Sequence, residues 1–129
     1  MKLIPHRLAL ALAALALAGA ALAAGIDVDG DLMRGIDDTA KSLDSNVAMK
    51  DAKAAAADAR SLVDTFARIE SHYGDKTDTA DAVGFAHDTQ ALAAQALKAI
   101  EANDFDAAGD AVNQLTRSCK NCHEKYKKD

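Results

Sequence analysis

The chain has 129 residues, a formal net charge of −5, 50% hydrophobic residues and 27% charged residues. This length fits one domain, and the acidic balance argues against binding to nucleic acid or to anionic membrane surfaces. Much of the apolar fraction is alanine, aromatic residues make up only 4%, and there is one proline. Such a composition predicts an all-α protein of closely packed helices, whose core needs bulk from a source other than aromatic side chains.

Residues 1–23 have the pattern of a cleaved secretory signal peptide. A short basic segment is followed by an apolar run from Leu8 to Ala18 and by an Ala-x-Ala cleavage site that ends at Ala23. An uncleaved membrane anchor is the alternative, but the apolar run is short for a bilayer span and alanine makes it weakly hydrophobic. We therefore expect a periplasmic mature domain, residues 24–129, that does not insert into the membrane.

The first two predicted helices follow the signal peptide. Apolar residues recur at helical spacing over about residues 30–43, and Asp27 and Asp29 are candidate N-caps for this helix. The polar run 44–46, Asp-Ser-Asn, predicts a break. Asn46 can then cap a second helix over about residues 47–72.

The second half of the chain predicts two further helices. After a polar loop with Gly74 as a helix stop, apolar spacing predicts a third helix over about residues 79–102. Asn103 can end this helix, and Asp104 can cap a fourth helix over about residues 105–127. Short connections make successive helices antiparallel neighbours, so the sequence predicts an antiparallel up-down-up-down four-helix bundle.

Residues 119–123 read Cys-Lys-Asn-Cys-His, the Cys-x-x-Cys-His pattern of covalent haem c attachment. In this pattern Cys119 and Cys122 form thioethers with the haem vinyl groups, and His123 is the proximal ligand of the haem iron. On a helix, positions i, i+3 and i+4 share one face, so both sulfurs and the imidazole can reach one porphyrin. The motif predicts one covalently bound haem c.

Two other uses of the thiols are open. A redox-active Cys-x-x-Cys normally opens a helix in a βαβ unit, whereas no strand-like segment precedes Cys119. A zinc site would need further ligands and usually a second Cys/His cluster, and the chain has two cysteines. Both patterns therefore fit the sequence less well than haem attachment does.

The C-terminal tail, from Cys119 to Lys127, reads Cys-x-x-Cys-His-x-x-Tyr-Lys. It resembles the class II c-type cytochromes, the cytochrome c' group, in which this motif closes the last helix of a four-helix bundle. The mature chain is also similar to the small periplasmic b-type cytochrome of the same fold. In that relative a methionine of the first helix and a histidine of the last helix bind the haem iron, which implies an axial role for Met33.

Met33 is the predicted distal ligand of the haem iron. In an up-down-up-down bundle the start of the first helix and the end of the last lie at the same end, which places Met33 level with His123. Met49, at the start of the predicted second helix, lies at the opposite end, roughly 30 Å away. His72 or His87 would instead give bis-histidine iron. The third alternative is an open sixth site, as in proteins of the cytochrome c' type.

These predictions favour a periplasmic one-electron carrier with a single His/Met-ligated haem c. A six-coordinate iron leaves no place for a substrate, so we expect no enzymatic activity. The alternatives are a five-coordinate haem protein that binds NO or CO, and a haem-free thiol oxidoreductase.

The charge of the mature chain bears on its partners. The signal peptide carries Lys2 and Arg7 and no acid, so its removal changes the formal charge from −5 to −7. An acidic surface is compatible with a redox partner protein that presents a basic patch. The sequence does not separate a monomer from a homodimer.

Overall fold

The computed structural model describes residues 25–126, which form four α-helices. Helix α1 spans Gly30–Ala48, α2 Ala52–Gly74, α3 Ala80–Glu101 and α4 Phe105–Tyr126. Each helix packs against the next one in the chain, and α4 returns to pack against α1, with the least extensive contact of the four. This arrangement confirms the predicted antiparallel four-helix bundle. The predicted signal peptide lies outside the described residues and stays a prediction.

Aspartate side chains begin three of these helices. The carboxylates of Asp29, Asp51 and Asp104 each accept a hydrogen bond from the backbone N–H three residues later, at 2.9–3.0 Å. Each bond satisfies one of the N–H groups that the first turn of a helix leaves without an intrahelical partner. Of the two caps predicted for α1, Asp29 is therefore confirmed rather than Asp27, and the predicted cap of α4 is confirmed.

The boundary between α1 and α2 was predicted wrongly. Residues 44–46 lie inside α1, which continues to Ala48, and the N-cap of α2 is Asp51 rather than a residue of that polar run. Met49, predicted at the start of the second helix, is instead the C-cap residue of α1 and is 69% exposed. It still lies at the end of the bundle opposite to the start of α1.

Contacts between α1 and α2 explain why the polar run stays helical. Asn46 donates a hydrogen bond to the carboxylate of Asp58 on α2 at 2.8 Å, and Ser42 donates to the same oxygen at 2.7 Å. Polar side chains break helices when they bond to their own backbone, and here Asn46 bonds to a neighbouring helix instead. Val47, the next residue, is buried and extends the apolar stripe of α1 by one turn.

The three connections each contain a residue with left-handed backbone conformation. These residues are Lys50, Asp78 and Asn103, with φ angles of 59°, 61° and 54°. Asparagine and aspartate adopt this conformation more readily than most residues, which supports the predicted role of Asn103 in ending α3. Gly74 is the last residue of α2, but its φ is not positive, so the reversal there is made later, at Asp78.

Half of the buried apolar side chains of the bundle are alanines, as the composition predicts. The larger buried side chains include Leu43, Leu62, Ile100 and Leu115, and the single buried aromatic residue among residues 25–126 is Phe66. On α4 the fully buried positions end at Leu115, one turn before the Cys-x-x-Cys-His motif. The end of the bundle that carries the motif is therefore less tightly covered than its middle.

We expect Asp51→Ala to lower the free energy of unfolding by about 1 kcal/mol, because it removes the N-cap of α2. Asp44→Ala is the matched control. It removes an aspartate at an exposed position within α1 and should change the free energy by less than roughly 0.5 kcal/mol. Urea unfolding followed by circular dichroism measures both, and a larger loss in Asp44→Ala would contradict the helix boundary.

Candidate haem site

The Cys-x-x-Cys-His motif occupies the last two turns of α4. Cys119 and Cys122 are half-buried, and His123 is exposed beside them. Because the three residues are at positions i, i+3 and i+4 of one helix, their side chains leave α4 on the same side. Lys127, the last residue of the tail that resembles class II cytochromes, lies outside the described residues.

Burial raises the pKa of both thiols above the ordinary value of 9.0. For Cys119 the burial effect is the largest, the neighbouring Cys122 adds to it, and Asp37 on α1 raises the pKa least. A raised pKa keeps both thiols protonated at neutral pH. Redox-active Cys-x-x-Cys pairs instead have at least one thiol with a lowered pKa, so this environment does not favour the thiol oxidoreductase alternative.

Asp37 on α1 is among the groups that raise the pKa of Cys119 on α4. Since the two helices are antiparallel, one turn back from Asp37 leads to Met33, and one turn on from Cys119 leads to His123. Each step is about 6 Å along the bundle axis, because an α-helix rises about 1.5 Å per residue. Both steps lead toward the same end of the bundle, so Met33 and His123 lie at that end. Met33 is half-buried and packs against the hydrophobic core.

The two other histidines named by the sequence have contacts on α2. Nδ1 of His87 lies 3.4 Å from Oε1 of Glu70, and the His87 side chain is 64% exposed. His72 packs edge-on against the ring of Tyr73, with ring centroids 5.2 Å apart. His72 thus adjoins Tyr73, and His87 lies on α3, a helix that also packs against α4.

Two tyrosines lie beside Cys122 at the open end of the bundle. The rings of Tyr73, near the end of α2, and Tyr126, in the last turn of α4, have centroids 6.2 Å apart. Burial is the main cause that raises the pKa of Tyr73, with smaller contributions from Cys122 and Tyr126. These aromatic rings form an apolar wall next to the second cysteine. Sequence reasoning missed Tyr73, since its proximity to α4 depends on the loop geometry after α2.

A hydroxyl pair joins α3 to α4 next to the motif. Thr89 is 1% exposed, and among residues 25–126 it is the only polar residue that is buried. Its hydroxyl donates to the carbonyl of Phe85 at 2.7 Å and lies 2.6 Å from Oγ of Ser118. Because the one proton of Thr89 goes to that carbonyl, Ser118 is the donor in the second bond. The pair limits rotation of α4 about its axis, one residue before Cys119.

The side chains around the motif fit a haem. Apolar residues that are half-buried and pack against the core are available to cover a porphyrin; those nearest this end are Val28, Leu32, Met33, Tyr73 and Cys119. Removing such apolar surface from water is favourable by about 25 cal/mol per Å². Two thiols one helical turn apart can form thioethers with the two vinyl groups, and the imidazole of His123 can ligate the iron.

The described residues 25–126 contain no group of three His, Cys, Asp or Glu side chains arranged to hold a metal ion by themselves. The zinc site considered from the sequence would require such a group. The donor atoms that are present are those that haem c attachment uses.

A comparison with known families decides the assignment. The family model described as Cytochrome C' matches residues 26–127, a range that covers all four helices and the C-terminal motif. The chain belongs to the cytochrome c' family. This cytochrome c' is accordingly a c-type haem protein of the electron-transfer or gas-binding class, and the family implies covalently bound haem. No curated protein and no solved structure matches the chain.

We expect Thr89→Val to destabilise this cytochrome c' by about 1–2 kcal/mol, because Ser118 then has no acceptor in a half-buried position. Thr89→Ser keeps the hydroxyl and should lose less. Urea unfolding of Thr89→Val, Ser118→Ala and the double variant gives the coupling between the two hydroxyls. Strictly additive losses would show that the two residues do not stabilise each other.

The thiols of the haem-free form of this cytochrome c' should react with iodoacetamide more slowly than those of the same chain in urea. The raised pKa of both thiols leaves little thiolate at pH 8, and the folded form should need a higher pH to reach the same rate. Mass spectrometry of the alkylated chain measures the reaction. The haem-loaded form should remain unmodified even in urea, since thioether sulfurs are not alkylated as thiols are; alkylation of both cysteines there would contradict covalent attachment.

Proposed function

We propose that this chain is a periplasmic electron carrier with one covalently bound haem c. The observation that carries the proposal is the Cys-x-x-Cys-His motif in the last turns of α4, within the range that the cytochrome c' family model matches. Met33 lies near the start of α1, at the same end of the antiparallel bundle. Cys119 and Cys122 hold the haem as thioethers, His123 is the proximal ligand of the iron, and Met33 is the distal ligand. When bound, the haem supplies the one-electron chemistry of its iron.

The surroundings of Met33 support its role as distal ligand. It is half-buried and packs against the core at the end of the bundle that carries His123, whereas Nδ1 of His87 lies 3.4 Å from Oε1 of Glu70 on α2. Its thioether is a soft ligand, and methionine with histidine raises the reduction potential of a haem.

The bundle suits electron transfer because it holds the proposed ligands on two different helices that pack on one core. Helix α4 is fixed by its buried stripe up to Leu115 and by the hydroxyl bond of Ser118. A rigid, largely apolar surrounding keeps both ligands in place when the charge of the site changes by one. With both axial positions filled, the protein offers no coordination site to a substrate, so we propose no enzymatic activity.

A gas-binding function is the second candidate, and one observation favours it. Leu32, next to Met33, is also half-buried and packs against the same core. If Leu32 rather than Met33 covers the distal face, the iron retains a free position for NO or CO. Family membership is compatible with both functions.

The periplasm is the proposed location. The signal-peptide pattern of residues 1–23 supports it, and so does the usual location of cytochrome c' proteins. Within residues 25–126, no helix combines the length and the apolar character needed to cross a membrane. The physiological partner is then another periplasmic redox protein.

Met33→Ala should convert a low-spin haem that does not bind CO into a high-spin haem that does, because it removes the sixth ligand. The reduction potential should fall, on the order of 0.1 V, since the methionine ligand is lost. Absorption spectra of both oxidation states, with and without CO, and a redox titration measure the change. Met49→Ala is the matched control, because Met49 is exposed at the opposite end, and it should leave spectra and potential unchanged.

The spectrum of the unsubstituted protein can contradict the proposed ligation by Met33. If this protein is already high-spin and takes up CO, the sixth position is free and the gas-binding function replaces electron transfer. If Met33→Ala leaves a low-spin spectrum intact, another residue is the distal ligand.

A further inference from the structure

Basic residues are concentrated in the part of the chain that carries the haem motif. Residues 113–129 include five basic and two acidic residues, whereas residues 24–112 include eight basic and 18 acidic residues. The formal charges of the two parts are therefore +3 and −10. The net charge of the mature chain hides this separation.

Within residues 25–126, two basic side chains without an ion pair lie on the exposed side of α4, at the level of the haem motif. Arg117 and Lys120 are exposed, and neither has an ion pair or hydrogen bond within the described part of the chain. They are three residues apart and so lie close together on the helix surface. Lys125, in contrast, pairs with Asp81 on α3. We call the surface formed by Arg117 and Lys120 the basic face of α4; Glu124 is the one acid among residues 111–126.

The neighbouring surface of α1 is acidic, but its charges are partly paired. Asp31 is bonded to Arg34, and Asp37 lies 2.5 Å from the ammonium nitrogen of Lys41. Two of the acids nearest the haem motif are thus offset by cations on their own helix. The basic face of α4 has no such compensation, which makes it the stronger local feature at this end.

Screening makes the local charge more important than the net charge. At physiological ionic strength the Debye length is about 8 Å, so a partner in contact responds mainly to the charges it touches. A basic partner would be attracted to most surfaces of this acidic protein, so the attraction would not favour one orientation of the bound partner. An acidic surface is attracted where Arg117 and Lys120 lie, and Lys120 is within one helical turn of both cysteines.

We propose that the basic face of α4 is the docking surface for an acidic patch on the redox partner. The inference rests on the electron-carrier function proposed above. The net charge alone predicts a partner with a basic patch. We instead propose an acidic patch, because Arg117 and Lys120 are the charges at the end of α4 that carries the haem motif. Binding there brings the partner to the end of α4 that carries the haem motif and so couples association to electron transfer.

The first test measures oxidation of the reduced, haem-loaded protein by two small oxidants of opposite charge. At low ionic strength, Arg117→Glu/Lys120→Glu should slow oxidation by anionic ferricyanide roughly three- to tenfold. It should accelerate oxidation by the cationic tris(phenanthroline)cobalt(III) complex by a similar factor. The differences should shrink at high salt, as screening predicts.

The matched control is Lys53→Glu/Lys98→Glu, which changes the net charge equally at the opposite end of the bundle. Both control lysines are exposed, in the first turn of α2 and the last turn of α3. The control should alter both rates much less. Equal effects of the two double variants would overturn the proposal, since the net charge alone would then explain the rates.

A second test does not depend on electron transfer. Hexacyanochromate(III), a redox-inert paramagnetic anion, should broaden the amide NMR signals around Arg117 and Lys120 more than those elsewhere, and Arg117→Glu/Lys120→Glu should abolish this. Broadening centred on another surface would overturn the docking surface. Broadening at α4 together with failure of both oxidants to react would support the anion-binding face and would contradict the electron-carrier function.

A second copy of this chain, whose surface is largely acidic, is the competing occupant. Sedimentation velocity at low salt distinguishes it. A monomer in both the unsubstituted and the Arg117→Glu/Lys120→Glu proteins supports a different partner. A dimer that dissociates on this double substitution would make the second copy the occupant and overturn the proposal.

Discussion

The orientation of α4 about its own axis is the constraint on which the candidate haem site depends. The thiols and the imidazole come from one helix, so a rotation of that helix would move all three donors together. The buried stripe that ends at Leu115 holds α4 against the core, and the Thr89–Ser118 hydrogen bond limits its rotation one residue before Cys119. Hydrophobic burial has no direction, whereas a buried hydrogen bond has one. The two interactions are therefore complementary.

The uneven covering of the bundle has a role in this arrangement. Alanine interfaces bring the helices together along the middle, while Leu32, Met33 and Tyr73 remain half-buried near the motif. α1 and α4 are the two helices that would hold the axial ligands. Their contact is the least extensive among the four pairs of packed helices. A flat apolar group between them would complete the core at the end where side chains leave it incomplete. The candidate haem site thus lies where the tight packing of the middle of the bundle gives way to half-buried side chains.

Local patterns predicted most of the fold and part of the site. The caps Asp29 and Asp104 and the shared helix face of the two cysteines depend on residues close in sequence, so local patterns predict them. The predicted break at residues 44–46 was wrong because Asn46 bonds to Asp58 on another helix, a contact that no local pattern contains. The Thr89–Ser118 bond and the approach of Tyr73 to Tyr126 were missed for the same reason. The charge of Arg117 and Lys120 was visible in the sequence, but their lack of partners required the fold.

The alanine-rich interior also determines which sequence changes the bundle can accept. Alanine loses no side-chain entropy on folding, and its small volume allows close approach of the helix backbones. At Ala59, Ala93, Ala96 and Ala108, which are fully enclosed, even one added methylene would push two helices apart. Evolutionary drift in this protein is therefore restricted by volume inside the bundle. Outside it, where charged residues dominate, charge can be redistributed with little effect on the architecture, so recognition and fold can change independently.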